Sequence, residues 1–202
     1  MSEEQKPVIV LDNGTGYLKA GLCDEKEPRT TLPAMVGRPM LRYGEKVEDI
    51  ELKPIMIGDE VTPVRSMLQL SYPIEEGIIR NKEDMEILWD YCINKKLEVS
   101  QDDYPNRRIL LTEAPSNPNK NKILMGEIAL EQMKFRGFNI EPQAMLTLYC
   151  EGLETGIVFD SGDGVSHCIP ISSSFILHHF IERINIAGRH ITNNLNKLLQ
   201  LR

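Results

Sequence analysis

The sequence is poor in the residues that build metal and disulfide scaffolds. Its four cysteines, Cys23, Cys92, Cys150 and Cys168, form no CxxC pair, and none has a histidine at zinc-ligand spacing. Scattered thiols of this kind point to a reducing compartment rather than a disulfide framework. Basic residues are also short: Lys and Arg number 23 against 30 Asp and Glu, a formal net charge of −7. That balance argues against nonspecific nucleic-acid binding, which needs a basic face, while leaving room for a local basic site for phosphates. No apolar run approaches the length of a membrane span. The opening segment Met1 to Gln5 has neither a basic n-region nor an apolar h-region, so a secretory signal is not expected. Low-complexity tracts are missing too. What remains is an ordinary globular composition, 41% apolar and 26% charged, long enough for one full domain and part of another. The expected location is cytoplasmic.

Along the chain, apolar Val8 to Leu11 is closed by Asp12-Asn13-Gly14-Thr15-Gly16, and Tyr17 to Cys23 resumes a strand-like pattern. Strand, glycine turn, strand predicts a β-hairpin. Pro33 to Pro73, rich in proline, glycine and charge, predicts a small, mostly extended insertion. Asn81 is a candidate N-cap, with Asp84 at the capping-box position and Met85, Leu88, Trp89, Cys92 and Ile93 at helical spacing. Arg108 to Thr112 predicts a buried strand and Glu113 to Pro118 a loop. Asn121 to Phe135 predicts a second helix, with Ile123, Ile128, Leu130 and Met133 among its apolar positions, and Gln143 to Tyr149 a third. Gly156 to Phe159 and Val165 to Ile171 predict a second hairpin, and Ala187 to Leu201 a last helix with Ile191, Leu195, Leu198 and Leu199 on one face.

The strongest signal is internal. Residues 8–16 (VIVLDNGTG) and 156–164 (GIVFDSGDG) each place an apolar strand before Asp-x-Gly-x-Gly. Two copies this far apart indicate a duplicated domain rather than a solenoid, whose repeats are much shorter. Glycine turns bring backbone N–H groups close to an anion, so two facing turns could clamp a polyphosphate. Thr15 adds a hydroxyl, and Lys19 could place a cation on a phosphate oxygen. Asp12 and Asp160 end the two first strands. Both would repel the same phosphates unless a divalent cation lay between, and Mg²⁺, which keeps several waters and takes one or two carboxylates, suits that role. Neither copy is a Walker A loop, because no Gly-Lys-Ser/Thr opens a helix. Asp-Gly and Asn-Gly turns also occur for purely structural reasons, and it is the matched pair that gives the signal weight.

Weaker candidates are structural in kind. His178-His179, if on a strand, would point to opposite faces. The acidic stretch 45–51 reads as a solvated loop. Met35, Met40, Met56 and Met67 suit either an adaptable contact surface or a small core.

Segments LDNGTGYLKAG (11–21), PAMVGRP (33–39), IGDE (57–60), YPIEEGII (72–79), LLTEAP (110–115), QAMLTLY (143–149) and TGIVFDSGDGVSH (155–167) resemble the actin family, in the family's order and over nearly the whole chain. Within it, IELKPIMIGDE (50–60), RSML (65–68) and ILWDY (87–91) are more like the actin-related proteins than conventional actin. The resemblance implies an α/β, actin-like (ribonuclease H-like) ATPase fold. Residues 1–35 with 73–150 would form a first large domain, 36–72 a small insertion and 151–202 the start of a second domain. It implies ATP or ADP with Mg²⁺ or Ca²⁺ as ligands. It assigns nucleotide contacts to Asp12, Asn13, Gly14, Thr15, Gly16, Tyr17, Lys19, Asp160, Ser161, Gly162, Asp163, Gly164, Val165 and Gly188. Asp12, Gln143 and Asp160 would hold the cation through water, and Gln143 and His167 would order the attacking water for weak ATP hydrolysis. Implied partners are actin, a second actin-related subunit and accessory subunits of a complex that nucleates branched filaments, in the cytoplasmic cytoskeleton.

Three segments depart from the family pattern. Glu76 stands where the family has histidine. Ile184-Asn185-Ile186-Ala187-Gly188-Arg189-His190 lacks two acids of the usual Leu-Asp-(Ile/Leu)-Ala-Gly-Arg-Asp. Asn121-Lys122-Ile123-Leu124 replaces a charged Asn-Arg-Glu-Lys. The family chain also continues well past position 202, which predicts a piece of a longer chain or a shortened paralogue. Two other functions compete: a small-molecule kinase of the same ATPase superfamily, which would need an acid aimed at a substrate hydroxyl, and a paralogue that has lost nucleotide.

Overall fold

The computed structural model describes residues 6–40 and 52–201. The acidic stretch 45–51 lies outside them. The chain forms β1 (Ile9–Asn13), β2 (Tyr17–Leu22), β3 (Thr30–Pro33), β4 (Val36–Pro39), β5 (Met56–Ile57), β6 (Leu68–Ser71), β7 (Ile74–Glu75), β8 (Ile78–Ile79), α1 (Lys82–Asp90), β9 (Arg108–Glu113), α2 (Asn119–Gly126), β10 (Gly137–Pro142), α3 (Gln143–Cys150), β11 (Gly156–Ser161), β12 (Ser166–Ser172), β13 (Phe175–Ile176), β14 (Glu182–Ile184) and α4 (Gly188–Gln200). It is a mixed α/β fold, as expected, and none of the described helices is long and apolar enough to cross a membrane.

The largest sheet runs β10-β9-β1-β2-β3. β1 and β2 are the expected hairpin, antiparallel from Ile9↔Leu22 to Asn13↔Leu18. β9 and β10 join in parallel, Leu11 lying opposite Leu111. Alternation in β1 sends Ile9 and Leu11 into a core with Leu18, Leu88, Trp89, Ile109 and Leu111. Parallel strands covered by helices need such apolar runs, which is why Arg108 to Thr112 reads as buried. β10 was not expected. Its six residues include Asn, Glu and Pro, and it forms the sheet edge.

Asn81 caps α1 as predicted, its side chain accepting from the Asp84 N–H at 3.1 Å. The reciprocal half of the capping box is not made. Asp84 turns inward instead, where its buried carboxylate meets Arg38 at 2.5 Å and the Asn81 amide at 2.9 Å. Burial raises the Asp84 carboxyl, but hydrogen bonds from Arg38 and Ser71 outweigh it and hold it below its usual value. Both helices predicted in this half widen into π-helical turns, at Tyr91–Lys96 and Glu127–Gln132. Ile123 and Leu130, two of the apolar positions read from sequence, are exposed; Met125, Ile128, Ala129 and Met133 are the buried face.

A second sheet, β11-β12-β13 with β14 on β12, carries the other predicted hairpin. Its core is six residues: Ala144, Met145, Leu148, Val158, Ile169 and Ile171. Ile157 and Phe159 on β11, and Ile191, Leu195, Leu198 and Leu199 on α4, face solvent. His178 and His179 sit in an exposed single turn of 3-10 helix, not on a strand. The insertion forms a small sheet, β5-β4-β6, and two 3-10 turns, less extended than expected. Met35 and Met56 belong to its core with Val61, Val64 and Leu68, while Met40 is exposed.

Candidate functional site

The C-terminal ends of β1, β9 and β11 and the N-terminus of α3 meet around one cavity of about 770 Å³. That size is typical of small-molecule sites. Its lining includes Asp12, Asn13, Gly14, Thr15, Gly16, Tyr17 and Lys19 from the first turn. Asp160, Gly162, Asp163, Gly164, Val165 and His167 come from the second hairpin, and Gln143 from α3. A second arm of the cavity runs over Val10 and Ala20 to Pro28.

The two glycine turns touch. A Cβ on Gly16 would lie 2.9 Å from the Asp163 Cβ, and one on Gly164 would lie 3.2 Å from Thr15 Cγ2. A side chain at Gly16 would force the turns apart, and one at Gly164 would require Thr15 to give by a few tenths of an ångström, so the close contact favours glycine on both sides. The first turn is closed by Gly14 N–H donating to the Asp12 carbonyl at 3.1 Å, and the second by Gly162 N–H donating to the Val165 carbonyl at 3.2 Å. Behind the second turn, the Gly188 and Arg189 N–H groups donate to the carbonyls of Gly162 and Asp163 at 3.0 and 2.9 Å, and the Arg189 guanidinium meets the Asp163 carboxylate at 2.9 Å. Arg189 also lies over the Tyr72 ring, 5.4 Å from its centre. Gly188 therefore supports the second turn from the rear and does not line the cavity. Ser161 does not line it either; its hydroxyl shares a hydrogen with Ser166 at 2.8 Å.

Asp12 is the most heavily engaged of the predicted residues. One carboxylate oxygen accepts from Thr112 Oγ1 at 2.5 Å and from Gln143 Nε2 at 2.8 Å; the other faces Lys19 Nζ at 3.3 Å. Lys19 is thus Asp12's cross-strand partner before it is anyone else's. Asn13 is buried, donating through its backbone N–H to Thr112 Oγ1 and accepting from the indole of Trp89, both at 3.0 Å. His167 is buried in β12, opposite Asp160 on β11 and Arg183 on β14. Burial, then the nearby Arg183 charge, pull its imidazole below the ordinary histidine value against a weaker opposite pull from Asp160. That shift favours the neutral imidazole at pH 7.

Arg183 itself is held by Glu76, Nη2 to Oε2 at 2.7 Å. Among ion pairs between described residues, this is the one that joins residues before Cys150 to residues after it. Glu76 takes a left-handed backbone, φ 52°, in the tight β7–β8 turn. Sequence reasoning noted Glu76 as a departure but not its partner, and it gave Thr112, Trp89 and Arg189 no part in the site, reading them as a strand residue, a helix position and a member of a departing segment. Thr112 is the penultimate residue of β9, the strand parallel to β1, and the carboxyl ends of parallel strands are where sites gather; that was the available signal.

A nucleotide with a divalent cation fits these residues. The donors facing the cavity are oxygens of Asp12, Asp160 and Gln143, the hard ligands that Mg²⁺ and Ca²⁺ prefer. Among the described residues no three His, Cys, Asp or Glu side chains converge on one point.

A model of the family described as Actin matches residues 3–202. Among curated relatives, the chain is 48% identical over 202 residues to actin-related protein 2 of Acanthamoeba castellanii, covering 100% of the chain and 51% of that protein. It is 47% identical over 191 residues to actin-related protein 2 of Schizosaccharomyces pombe, covering 95% and 48%. It is 47% identical over 208 residues to actin-related protein 2 of Drosophila melanogaster, covering 100% and 51%. The chain spans about half the length of the curated relatives it matches.

Proposed function

Because the chain belongs to the actin family, we propose that it binds ATP or ADP with Mg²⁺ or Ca²⁺ between its two glycine turns and works as an actin-related subunit of a complex that nucleates branched actin filaments. The observation that carries the reading is the direct contact of the two turns on one cavity, with Asp12 and Asp160 both facing it. Phosphoryl chemistry asks a protein mainly for positioning and charge neutralisation. Backbone amides of the turns, Thr15 and Lys19 would hold phosphates. Asp12, Gln143 and Asp160 would accept from the water shell of the cation, whose contribution is to screen phosphate charge. Gln143 and neutral His167 would orient the attacking water, His167 with a ring nitrogen free to accept a proton. Slow hydrolysis would then alter how the turns close and hence the surface offered to actin, a second actin-related subunit and accessory subunits in the cytoplasmic cytoskeleton. The proposed division into residues 1–35 with 73–150, 36–72, and 151–202 follows the three apolar clusters only in part, since Ile57 packs in the large-sheet core, Met35 in the insertion's, and Ala144, Met145 and Leu148 in the smaller sheet's.

The test is nucleotide binding with and without divalent cation, on the protein at its natural length. Asp160→Ala should weaken Mg²⁺-dependent ATP binding at least tenfold, because the hydrated ion loses a carboxylate acceptor, and should change binding in EDTA little. Equal ATP affinity with and without Mg²⁺, in wild type and variant alike, would refute the two-turn clamp.

A further inference from the structure

Thr112 is a buried residue at the end of β9, on the wall of the cavity. The β1–β9 ladder stops at the pair Leu11 and Leu111. One step further the Asn13 N–H donates at 3.0 Å to the Thr112 side-chain oxygen, and the Asn13 side-chain amide returns to the Thr112 carbonyl at 3.3 Å. The same hydroxyl donates to Asp12 Oδ1 at 2.5 Å and accepts from Gln143 Nε2 at 3.2 Å. A hydroxyl has one hydrogen and two lone pairs. Here all three are used, so it keeps no capacity for a ligand.

These contacts also decide how Gln143 points. Its Nε2 donates to both Asp12 Oδ1 and Thr112 Oγ1. Turning the amide over would press its oxygen against the carboxylate. Gln143 Oε1, which takes part in neither contact, is the atom left for a water. Trp89 anchors the arrangement from the core through Asn13.

We propose that Thr112 is a positioning residue whose hydroxyl fixes Asp12 and Gln143 relative to each other, and so sets the geometry of the divalent-cation and water site without binding the ligand. This rests on the proposed nucleotide reading. It separates two properties that share a cavity. Phosphate contacts belong to the turns and do not involve Thr112; the cation's water shell depends on the two side chains that Thr112 orients. Partners of this kind around metal ligands typically change metal affinity by about 10–100-fold when removed.

The experiment compares wild type, Thr112→Val and Thr112→Ser at natural length. It measures Mg²⁺ affinity in the presence of ATP, ATP affinity in EDTA, the urea midpoint without ligand, and the indole ¹⁵N–¹H resonance of Trp89, assigned by its loss in Trp89→Phe. Thr112→Val keeps the β-branched shape and loses the hydroxyl. It should weaken Mg²⁺ about tenfold or more, leave ATP binding in EDTA within about twofold, and shift the Trp89 resonance. Thr112→Ser should restore Mg²⁺ affinity to within about threefold. Unchanged Mg²⁺ affinity in Thr112→Val, an equal loss with and without cation, or no rescue by serine would each overturn the proposal. If Thr112→Val does not fold, Thr112→Ser decides alone, and tenfold weaker Mg²⁺ binding by a folded serine variant overturns it. Wild type with no cation dependence at all would instead bring down the nucleotide reading, and this inference with it.

Discussion

His167 lies between opposite charges that do not cancel. Asp160 and Arg183 flank it on neighbouring strands, and burial together with Arg183 keeps its folded pKa below the reference 6.5. The unfolded chain therefore takes up a proton first as pH falls. The stability that His167 contributes is complete above about pH 6.5 and is lost as pH drops through the lower folded value. His167→Gln should flatten that slope: urea midpoints of wild type should fall more between pH 7.5 and 5 than those of the variant. Parallel curves would show that the imidazole is not held neutral by its surroundings. Residue types near each glycine turn were legible in the sequence because strand, turn and return strand are contiguous there. Thr112 was not, because its partners Asp12 and Asn13 are about a hundred positions away and meet it only through a parallel pairing that no spacing encodes. Ser161 and Gly188 show the reverse: motif membership suggested contact, and the fold places them behind the wall.

Elements carry a different lesson, about what lies against each face. Of the apolar positions read along helix 121–135, Ile128 and Met133 are buried, yet Ile123 and Leu130, seven apart, are exposed. β10 escaped notice because its composition is that of a loop; only pairing with β9 makes it a strand. α1 was the best-read helix, down to its cap, but the fate of Asp84 depended on a residue from the insertion. Arg38, about half exposed, reaches over to a carboxylate with no exposure of its own. Removing the cation leaves that charge buried with only neutral donors. Arg38→Gln should therefore cost about 2–3 kcal/mol in urea unfolding at pH 7, somewhat less than a fully buried pair because Arg38 reaches solvent. A loss under 0.5 kcal/mol, the size usual for surface changes, would mean that Asn81 and Ser71 satisfy Asp84 unaided.

In the molecule as a whole, the large sheet and the β11–β14 sheet have cores of very different size; α3 spans both, with Gln143 on Asp12 and Ala144, Met145 and Leu148 in the smaller core, and among the described residues the two turns and the Glu76–Arg183 pair join them as well. Glu76 occupies a backbone position where glycine would be at ease. A left-handed non-glycine residue costs about 1–2 kcal/mol, and a half-exposed ion pair returns about 0–1. Glu76→Gly should accordingly leave global stability within about 1 kcal/mol of wild type. Hydrogen exchange along β14 should nonetheless quicken severalfold, and Glu76→Gln should share that quickening without relief of the backbone. Unaltered exchange in both would show that the pair joins nothing. The consequence of that left-handed glutamate is one of cooperativity. A side chain kept at a local loss adds at most about 1 kcal/mol to the coupling between two unequal cores that α3 and the glycine turns also join. Without it, calorimetry should show a single peak that is broader on its low-temperature side, the smaller core beginning to open slightly before the larger; an unchanged peak shape would show that the pair does not couple them.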